Sequence, residues 1–349
     1  MTNEYNAMKK NITIFILIFL FGIISSPLYS QKAGSTSMQF LKVMPSARGA
    51  SVGDAYSVWA SGADAIFWNP SGLASIKNQE ISSSYIQWIF DSRQGALSYG
   101  LSLKDLGVVA AQFQYVDFGE FLEASALRPY INNETNPGLT GNTFRPFSYL
   151  FGISYAQNLT DKFSTGLSVK YAHESLYNGN TIVAQVSQGV DELVNTWANG
   201  LMFDFGIHYR TGYRSIEIGA SVQNFGADVR YAKESNPLPM MFRWGVAANL
   251  IGVDAIAGYD ETNRLGMAFD LFQPNDYAQQ EHIGMEYSYA EVFFLRAGYK
   301  FNYDYEGLTL GSGIQQSFGP VRLSFDYSFN SIGIYLGNVH RFSLGAVLQ

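Results

Sequence analysis

The sequence predicts an all-β protein, namely a transmembrane antiparallel β-barrel of about 14 strands with an N-terminal hatch segment in its lumen. Three observations lead to this class. Segments of about ten residues alternate between apolar side chains and polar or very small ones, the length and pattern of a barrel strand. Charged residues make up 15% of the chain and aromatic residues another 15%, whereas soluble proteins carry about 25% charged residues. Short and long connections also alternate along the chain.

The first 30 residues predict a signal peptide. Lys9 and Lys10 form a basic region, and the apolar stretch 12–24 that follows is shorter than the roughly 20 residues of a spanning helix. The small and turn-forming residues SSPLYS place the cleavage site after Ser30. We therefore expect a signal peptide over 1–30, an N-terminal hatch or plug over 31–78 and a barrel over 79–349.

The barrel strands are predicted from a period of two. In residues 320–329, Val321, Leu323 and Phe325 share one face, whereas Arg322 and Ser324 lie on the opposite face. A wholly apolar outward face indicates contact with lipid. A sheet in lipid must close into a ring, because unpaired strand edges are too costly there. The predicted strands are 79–89, 93–103, 107–117, 146–156, 162–172, 200–210, 213–223, 239–249, 262–272, 281–289, 291–301, 307–317, 320–329 and 339–348.

The connections between these strands agree with a barrel, with one exception. Short turns alternate with longer outer loops, as expected of outer-membrane barrels. The segment 250–261 falls at a short-turn position but has twelve residues. Either the two neighbouring strands extend into it, or it hides a further hairpin. A soluble β-sandwich is the competing class, and it would place Lys, Glu and Thr on the outward faces.

The stretch ADAIFWNPSGLAS, residues 63–75, precedes the first strand and predicts the hatch. Asn69 and Pro70 form a turn, and Gly72 marks a second one. Small side chains allow close packing in a narrow lumen, where Phe67 or Trp68 would wedge between lumen-facing side chains. Residues 46–60 are expected to form a short helix. The lumen face also carries charges of both signs, which favour holding such a segment over selecting ions.

The N-terminal run FLKVMPSARGASVGDAYSVWASGADAIFWNPSGLAS resembles the signature of the PorV/PorQ family of Bacteroidetes-type outer-membrane proteins. Its WNPSGLA element is more distantly similar to NPAGLA of the FadL transporters of hydrophobic compounds. The resemblance continues in FFLRAGYKF, residues 293–301, and in GNVHRFSLGAVLQ, residues 337–349. It implies a FadL-like barrel with a hatch, located in the outer membrane of a Gram-negative, Bacteroidetes-like cell and acting in type IX protein secretion.

The loop 173–199 is the predicted partner-binding element. Its apolar residues recur at helical spacing, so we expect an amphipathic helix above the membrane. Such a helix must cover the barrel mouth, form a ligand groove or bind a protein. A passive lid formed with the loop 118–145 is the competing interpretation. The contact candidates are Ile182, Val186, Val190, Leu193 and Trp197.

Two functions remain open from the sequence. The first is a non-enzymatic role in type IX secretion, with secretion-system proteins or secreted cargo bound by the outer loops. The alternative is FadL-like transport of a hydrophobic small molecule. The four His residues show no catalytic or metal-ligand spacing, Cys is absent, and the net charge of −7 argues against a nucleic-acid partner. We expect outer-membrane lipid around the barrel and neither cofactor nor metal.

Overall fold

The computed structural model describes residues 34–124, 139–178, 181–187, 190–232 and 234–348. The predicted signal peptide over 1–30 lies outside these residues. Among the residues that the structure describes, no helix has the length and apolar character needed to cross a membrane.

The described chain is built mainly of strands. In chain order they are β1 (Gln79–Gln87), β2 (Arg93–Ser102), β3 (Val108–Asp117), β4 (Phe121–Ala124), β5 (Leu139–Phe144), β6 (Phe147–Asn158), β7 (Phe163–Ser175), β8 (Thr181–Ser187), β9 (Val190–Asn195), β10 (Trp197–Arg210), β11 (Glu217–Gly226), β12 (Val229–Tyr231), β13 (Glu234–Asn236), β14 (Met241–Ile251), β15 (Asn263–Pro274), β16 (Gln280–Tyr289), β17 (Phe293–Phe301), β18 (Leu308–Phe318), β19 (Val321–Ser331) and β20 (Asn338–Leu348).

Fourteen of these strands close into one antiparallel barrel, which confirms the predicted barrel. Its order is β1-β2-β3-β6-β7-β10-β11-β14-β15-β16-β17-β18-β19-β20, and β1 pairs with β20 to complete the ring. The predicted bounds agree to within a few residues. The largest difference is at β11, which begins at Glu217 because Ile216 donates its backbone N–H to Tyr213 and closes a turn there.

The long connection at 250–261 holds no further strand of the barrel in the described chain. Strand β14 ends at Ile251, and β15 begins at Asn263. The backbone N–H of Ile256 donates to the Asn249 carbonyl at 2.9 Å, and that of Gly252 donates to the Gly258 carbonyl at 3.0 Å. The segment is therefore a compact turn, and the count of fourteen stands.

The two ends of the barrel differ in their connections. Three loops at one end carry two-stranded hairpins, formed by β4 with β5, β8 with β9 and β12 with β13. The opposite end has mostly short turns, and both the start of β1 and the end of β20 lie there. Outer-membrane barrels place their long loops outside and their short turns in the periplasm. The hairpin end is therefore the outer end.

The two faces of the strands have opposite chemistry. In β17, Phe293, Leu295 and Tyr299 point outward and are exposed, while Arg296 and Lys300 point inward and are buried. This reverses the order of a soluble β-protein and suits an outer face covered by lipid. The inward polar side chains need hydrogen-bond partners because an unsatisfied buried group is costly.

Residues 36–76, called the N-terminal segment below, supply many of these partners. A short helix over Ala47–Ser51 and three 3₁₀ helices, Gln39–Lys42, Gly62–Phe67 and Pro70–Ser75, make up its regular structure. Its backbone contacts inward-facing groups of strands around the ring. These include Ser343 on β20, Thr309 on β18, Asp270 on β15 and Ser221 on β11. The segment therefore lies inside the barrel, enclosed by its strands.

The predicted amphipathic helix in the loop 173–199 is wrong. Residues Thr181–Ser187 and Val190–Asn195 form the antiparallel hairpin of β8 and β9, with Ile182 opposite Val194. Trp197 belongs to barrel strand β10. The segment is rich in β-branched Val and Ile, which fit a pleated strand better than a helix.

Candidate functional site

The predicted hatch motif spans the junction of two 3₁₀ helices. Phe67 ends the first, Pro70 and Gly72 lie in the second, and Trp68 and Asn69 join them; all but the half-buried Gly72 are buried. Asn69 caps the second of these helices, since its Oδ1 accepts from the backbone N–H of Ser71 at 3.2 Å. The Asn69 Nδ2 donates to the Ser57 carbonyl at 3.0 Å and to the Ile207 carbonyl of β10 at 3.1 Å. One side chain thus joins two parts of the N-terminal segment to the barrel wall.

Strand glycines make room for this turn. A Cβ on Gly206 would lie 2.0 Å from Asn69 Oδ1, and one on Gly166 would lie 2.3 Å from the Pro70 carbonyl carbon. Gly72 is equally close to its own segment, since a Cβ there would lie 2.0 Å from the Ala60 carbonyl oxygen. Larger side chains at these positions would push the turn away from the wall.

Trp68 lies in the middle of the packing and is fully buried. Tyr56 meets its ring edge-on, with centroids 5.3 Å apart, and the Arg243 guanidinium lies 5.1 Å from its centroid. The Trp68 carbonyl accepts from Ser221 Oγ at 3.1 Å. The neighbouring Phe67 carbonyl accepts from Gln223 Nε2 at 2.8 Å. The predicted aromatic pair therefore contacts inward-facing side chains of the barrel.

A buried carboxylate gathers three arginines inside the ring. Glu286 Oε2 lies 3.1 Å from Arg48 Nε and 2.7 Å from Arg296 Nε, and its Oε1 lies 2.7 Å from Arg264 Nη2. Arg296 also contacts Asp326 at 2.6 Å. These lumen charges of opposite sign are thus paired across neighbouring strands and with the N-terminal segment. A buried ion needs such partners.

A second ion pair lies nearer the outer end. Asp54 of the N-terminal segment contacts Lys300 Nζ at 2.5 Å, and Glu306 contacts the same nitrogen at 2.6 Å. Burial alone would raise the pKa of Asp54, but the charge of Lys300 holds that pKa below its usual value. The Asp54 carboxylate therefore stays ionised and ties the segment to β17.

The start of the segment is held at the outer mouth by Asp276, in the loop between β15 and β16. Its carboxylate accepts from Thr36 Oγ1 at 2.6 Å, from Gln39 Nε2 at 2.9 Å and from Lys42 Nζ at 2.9 Å. Burial raises the pKa of Asp276, yet these three donors together keep it below its usual value. The sequence did not single out this cluster because Asp276 lies more than 230 positions from its three donors.

Among the described residues, a cavity lies on each side of the segment. The larger, about 600 Å³, opens near the outer mouth and is walled by Phe40, Trp88 and Phe272 among others. The smaller, about 310 Å³, is polar, and Asp64 and Arg322 line it. Residues of the N-terminal segment line both spaces and lie between them.

The predicted partner-binding residues are spread over two structures. Ile182 and Val186 lie in β8, Val190 and Leu193 lie in β9, and Leu193 is 73% exposed. Trp197 instead belongs to the barrel, where its ring centroid lies 6.0 Å from that of His173. In the residues that the structure describes, no group of three or more His, Asp or Glu side chains is placed to hold a metal ion.

The fold is shared with solved outer-membrane barrels. The toluene transporter TodX of Pseudomonas putida has a TM-score of 0.52 at 16% identity, over 86% of this chain and 95% of its own. A FadL homologue of Pseudomonas aeruginosa has a TM-score of 0.50 at 11% identity, over 90% of this chain and 99% of its own. Identities this low show a common fold alone. No curated protein sequence matches this chain.

The sequence also matches the family model of the type IX secretion system protein PorV over residues 27–274. This match covers well over half of the chain, including the N-terminal segment and the strands β1 to β15. The barrel and its outer-membrane relatives agree with it. This chain is an outer-membrane β-barrel that belongs to the PorV family of the type IX secretion system.

Proposed function

We propose that this chain binds secretion-system proteins or secreted cargo with its outer loops, while its N-terminal segment closes the barrel. In this role it performs no covalent chemistry and needs no cofactor. The observation that carries the proposal is the combination of a segment bonded around the interior with three hairpins at the outer end.

Closure is supported by the contacts of residues 36–76. The ion pairs of Arg48 with Glu286 and of Asp54 with Lys300 join the segment to β16 and β17. Asn69 joins it to β10 on another side of the ring. Because these contacts come from several directions, the segment is fixed in place and obstructs a continuous water path. We therefore assign residues 31–78 the role of a hatch.

Partner binding is supported by the outer hairpins. Leu122 in β4 is 66% exposed and Leu193 in β9 is 73% exposed, so apolar surface faces the exterior beyond the barrel. The hairpin of β8 and β9 is a two-stranded sheet separate from the barrel, and small sheets of this kind are sites where another chain adds a strand. These features suit a protein partner at the cell surface.

Transport of a hydrophobic small molecule receives less support. The likeness to the toluene transporter TodX shows a common barrel only. The outer cavity is separated from the inner one by the N-terminal segment. A transport role would need this segment to move, and its buried ion pairs oppose that movement. We further propose that residues 1–30 direct export and that the host is a Bacteroidetes-like cell.

The test is removal of the hairpin of β8 and β9 in the native host. Residues 179–195 are replaced by a short Gly-Ser linker, which leaves Trp197 and strand β10 intact. We expect secretion and surface attachment of cargo to fall while the barrel still reaches the outer membrane. A matched pair refines the test, with Leu193→Asp on the hairpin and Leu159→Asp at the periplasmic end, where Leu159 is 57% exposed. Unchanged secretion after the deletion would contradict the proposal.

A further inference from the structure

The outer cavity combines apolar walls with buried positive charge. Its volume is about 600 Å³, and its walls include Trp88, Phe118, Phe272 and Tyr303. Phe40 and Met44 of the N-terminal segment also line it. A space closed on the inner side and open on the outer side holds an occupant without passing it through the membrane.

Two buried guanidinium groups that line this cavity, those of Arg243 and Arg341, form no ion pair among the described residues. Arg243 is only 2% exposed, and its Nε and Nη1 have no hydrogen-bond partner there. The guanidinium carbon of Arg243 lies 4.1 Å from the Phe272 ring centroid and 5.1 Å from the Trp68 ring centroid. Among the described residues, Arg341 donates to the Met44 carbonyl and to Asn330 Oδ1, and its guanidinium lies 5.2 Å from the Trp88 ring centroid.

The acids that line the cavity are already engaged. Asp54 and Glu306 both contact Lys300, and Asp304 accepts from Tyr277 Oη at 2.5 Å. The remaining lysine of the wall, Lys42, is bound by Asp276. The Asp54 carboxylate acts on Arg243 and Arg341 from a distance, but neither guanidinium has a carboxylate within ion-pair distance in the described chain. A buried cation without a counter-ion is costly, so an entering carboxylate would gain a charge-assisted hydrogen bond.

The rim of the cavity extends the apolar surface outward. Phe90 is 76% exposed and has a left-handed backbone with φ of 53°, which costs energy for a residue with a side chain. Tyr305 and Phe121 are also exposed at the rim, by 61% and 46%. A small amphiphile inside the cavity would leave these rings uncovered. An extended polypeptide would cover the rim and enter the cavity together.

We infer that the outer cavity binds an acidic and aromatic segment of a protein partner. An apolar side chain of that segment fills the space between Trp88 and Phe272. A neighbouring Asp or Glu carboxylate accepts from Arg243 and Arg341. This inference rests on the proposed function, since it gives the chemistry of the segment that a secretion partner presents.

The experiment uses the full protein in lipid nanodiscs without free detergent, because detergent would compete for the cavity. The probe is a fluorescein-labelled peptide, GSDFLFDSG, and binding is followed by fluorescence anisotropy. We expect saturable binding that Arg243→Gln or Arg341→Gln weakens by about tenfold or more and that Arg243→Lys partly restores. The matched control is Arg210→Gln, an arginine whose side chain is 52% exposed at the opposite end.

A peptide with Lys in place of both Asp residues tests charge, and dodecanoate tests a small amphiphile. Equal binding of the Lys peptide, or no binding of either peptide, would overturn the inference. So would dodecanoate binding that depends on Arg243 while peptides fail. Heat-modified gel mobility verifies that each variant is folded, and Arg341→Gln decides the matter if Arg243→Gln does not fold. Secretion that needs the β8 and β9 hairpin, together with failed peptide binding, would leave the proposed function intact and remove this inference alone.

Discussion

Gly298 of β17 lies directly against Gly53 of the N-terminal segment. A Cβ placed on Gly298 would be 2.2 Å from the Gly53 backbone nitrogen and 2.2 Å from the Val52 carbonyl carbon. Two backbones can approach this closely only where neither carries a side chain between them. Gly53 itself has a φ of +67°, so it also provides a left-handed turn. This contact fixes how deeply the segment lies in the barrel.

Replacing Gly298 with Val should displace the N-terminal segment, because backbone atoms cannot yield as a flexible side chain does. We expect the ionic conductance of the purified protein in planar bilayers to rise above that of the wild type. The control is Gly95→Val, since a Cβ on Gly95 has no neighbour within 4 Å. Equal conductance of the two variants would mean that the segment does not limit the flow of ions.

Replacing Glu286 with Gln removes the carboxylate shared by Arg48, Arg264 and Arg296. The free energy of unfolding should fall by about 3 kcal/mol, since breaking one side of a buried ion pair leaves uncompensated charge. Urea unfolding in micelles, followed by tryptophan emission, measures it. Glu217→Gln is the control, because Glu217 is 34% exposed and its loss should cost about 1 kcal/mol or less. Equal losses would show that the cluster adds no special stability.

Replacing Asn69 with Ala removes the donor to Ser57 and Ile207 and the acceptor for Ser71. We expect a loss of about 2 kcal/mol in the free energy of unfolding, because the buried Ser57 carbonyl and the partly buried Ile207 carbonyl lose this donor. The same unfolding experiment measures it, with Asn142→Ala on the exposed outer loop as the control. A loss no greater than that of the control would contradict the role of Asn69.

Asp64 predicts a dependence of stability on pH. It accepts from Ser46 Oγ and Ser82 Oγ, each at 2.5 Å, and burial raises its pKa above the usual 3.8. A raised carboxyl pKa stabilises the fold fully below the ordinary value, and that contribution is lost as the pH rises through the folded value. Asp64→Asn should therefore gain stability over the wild type as the pH increases from the ordinary value of 3.8 through the higher folded value, and the difference should then stay constant toward neutrality. Unfolding curves across this range test it, with the exposed Asp105→Asn as the control. Parallel curves would exclude the effect.

The barrel could be predicted from the sequence because its strands obey a local rule. The alternation of Val321, Arg322 and Leu323 is visible within three residues, and lipid makes ring closure the only solution. The hairpin of β8 and β9 could not be predicted from this alternation. Its apolar residues satisfy a helical spacing as well, and only the β-branching of Val and Ile favours strands.

The hatch motif could be recognised, but its partners could not. Asn69 is a turn residue by its type, whereas its bond to Ile207 joins residues 138 positions apart. The same applies to Glu286 and Arg48, which are 238 positions apart. Strand register and ring closure bring such groups together, and neither is encoded in a short window. The glycines at 166 and 206 were the available signal, since they interrupt the inward face opposite the motif.

The closing strand pair has a consequence for assembly. Ser343 of β20 accepts from the Ala47 backbone N–H at 2.9 Å, and Ser82 of β1 donates to Asp64 at 2.5 Å. Both strands of the closing pair, β1 and β20, therefore bind the same N-terminal segment. Pairing of the first barrel strand with the last and binding of the N-terminal segment are therefore coupled. A barrel that opens between β1 and β20 also releases the segment from its interior.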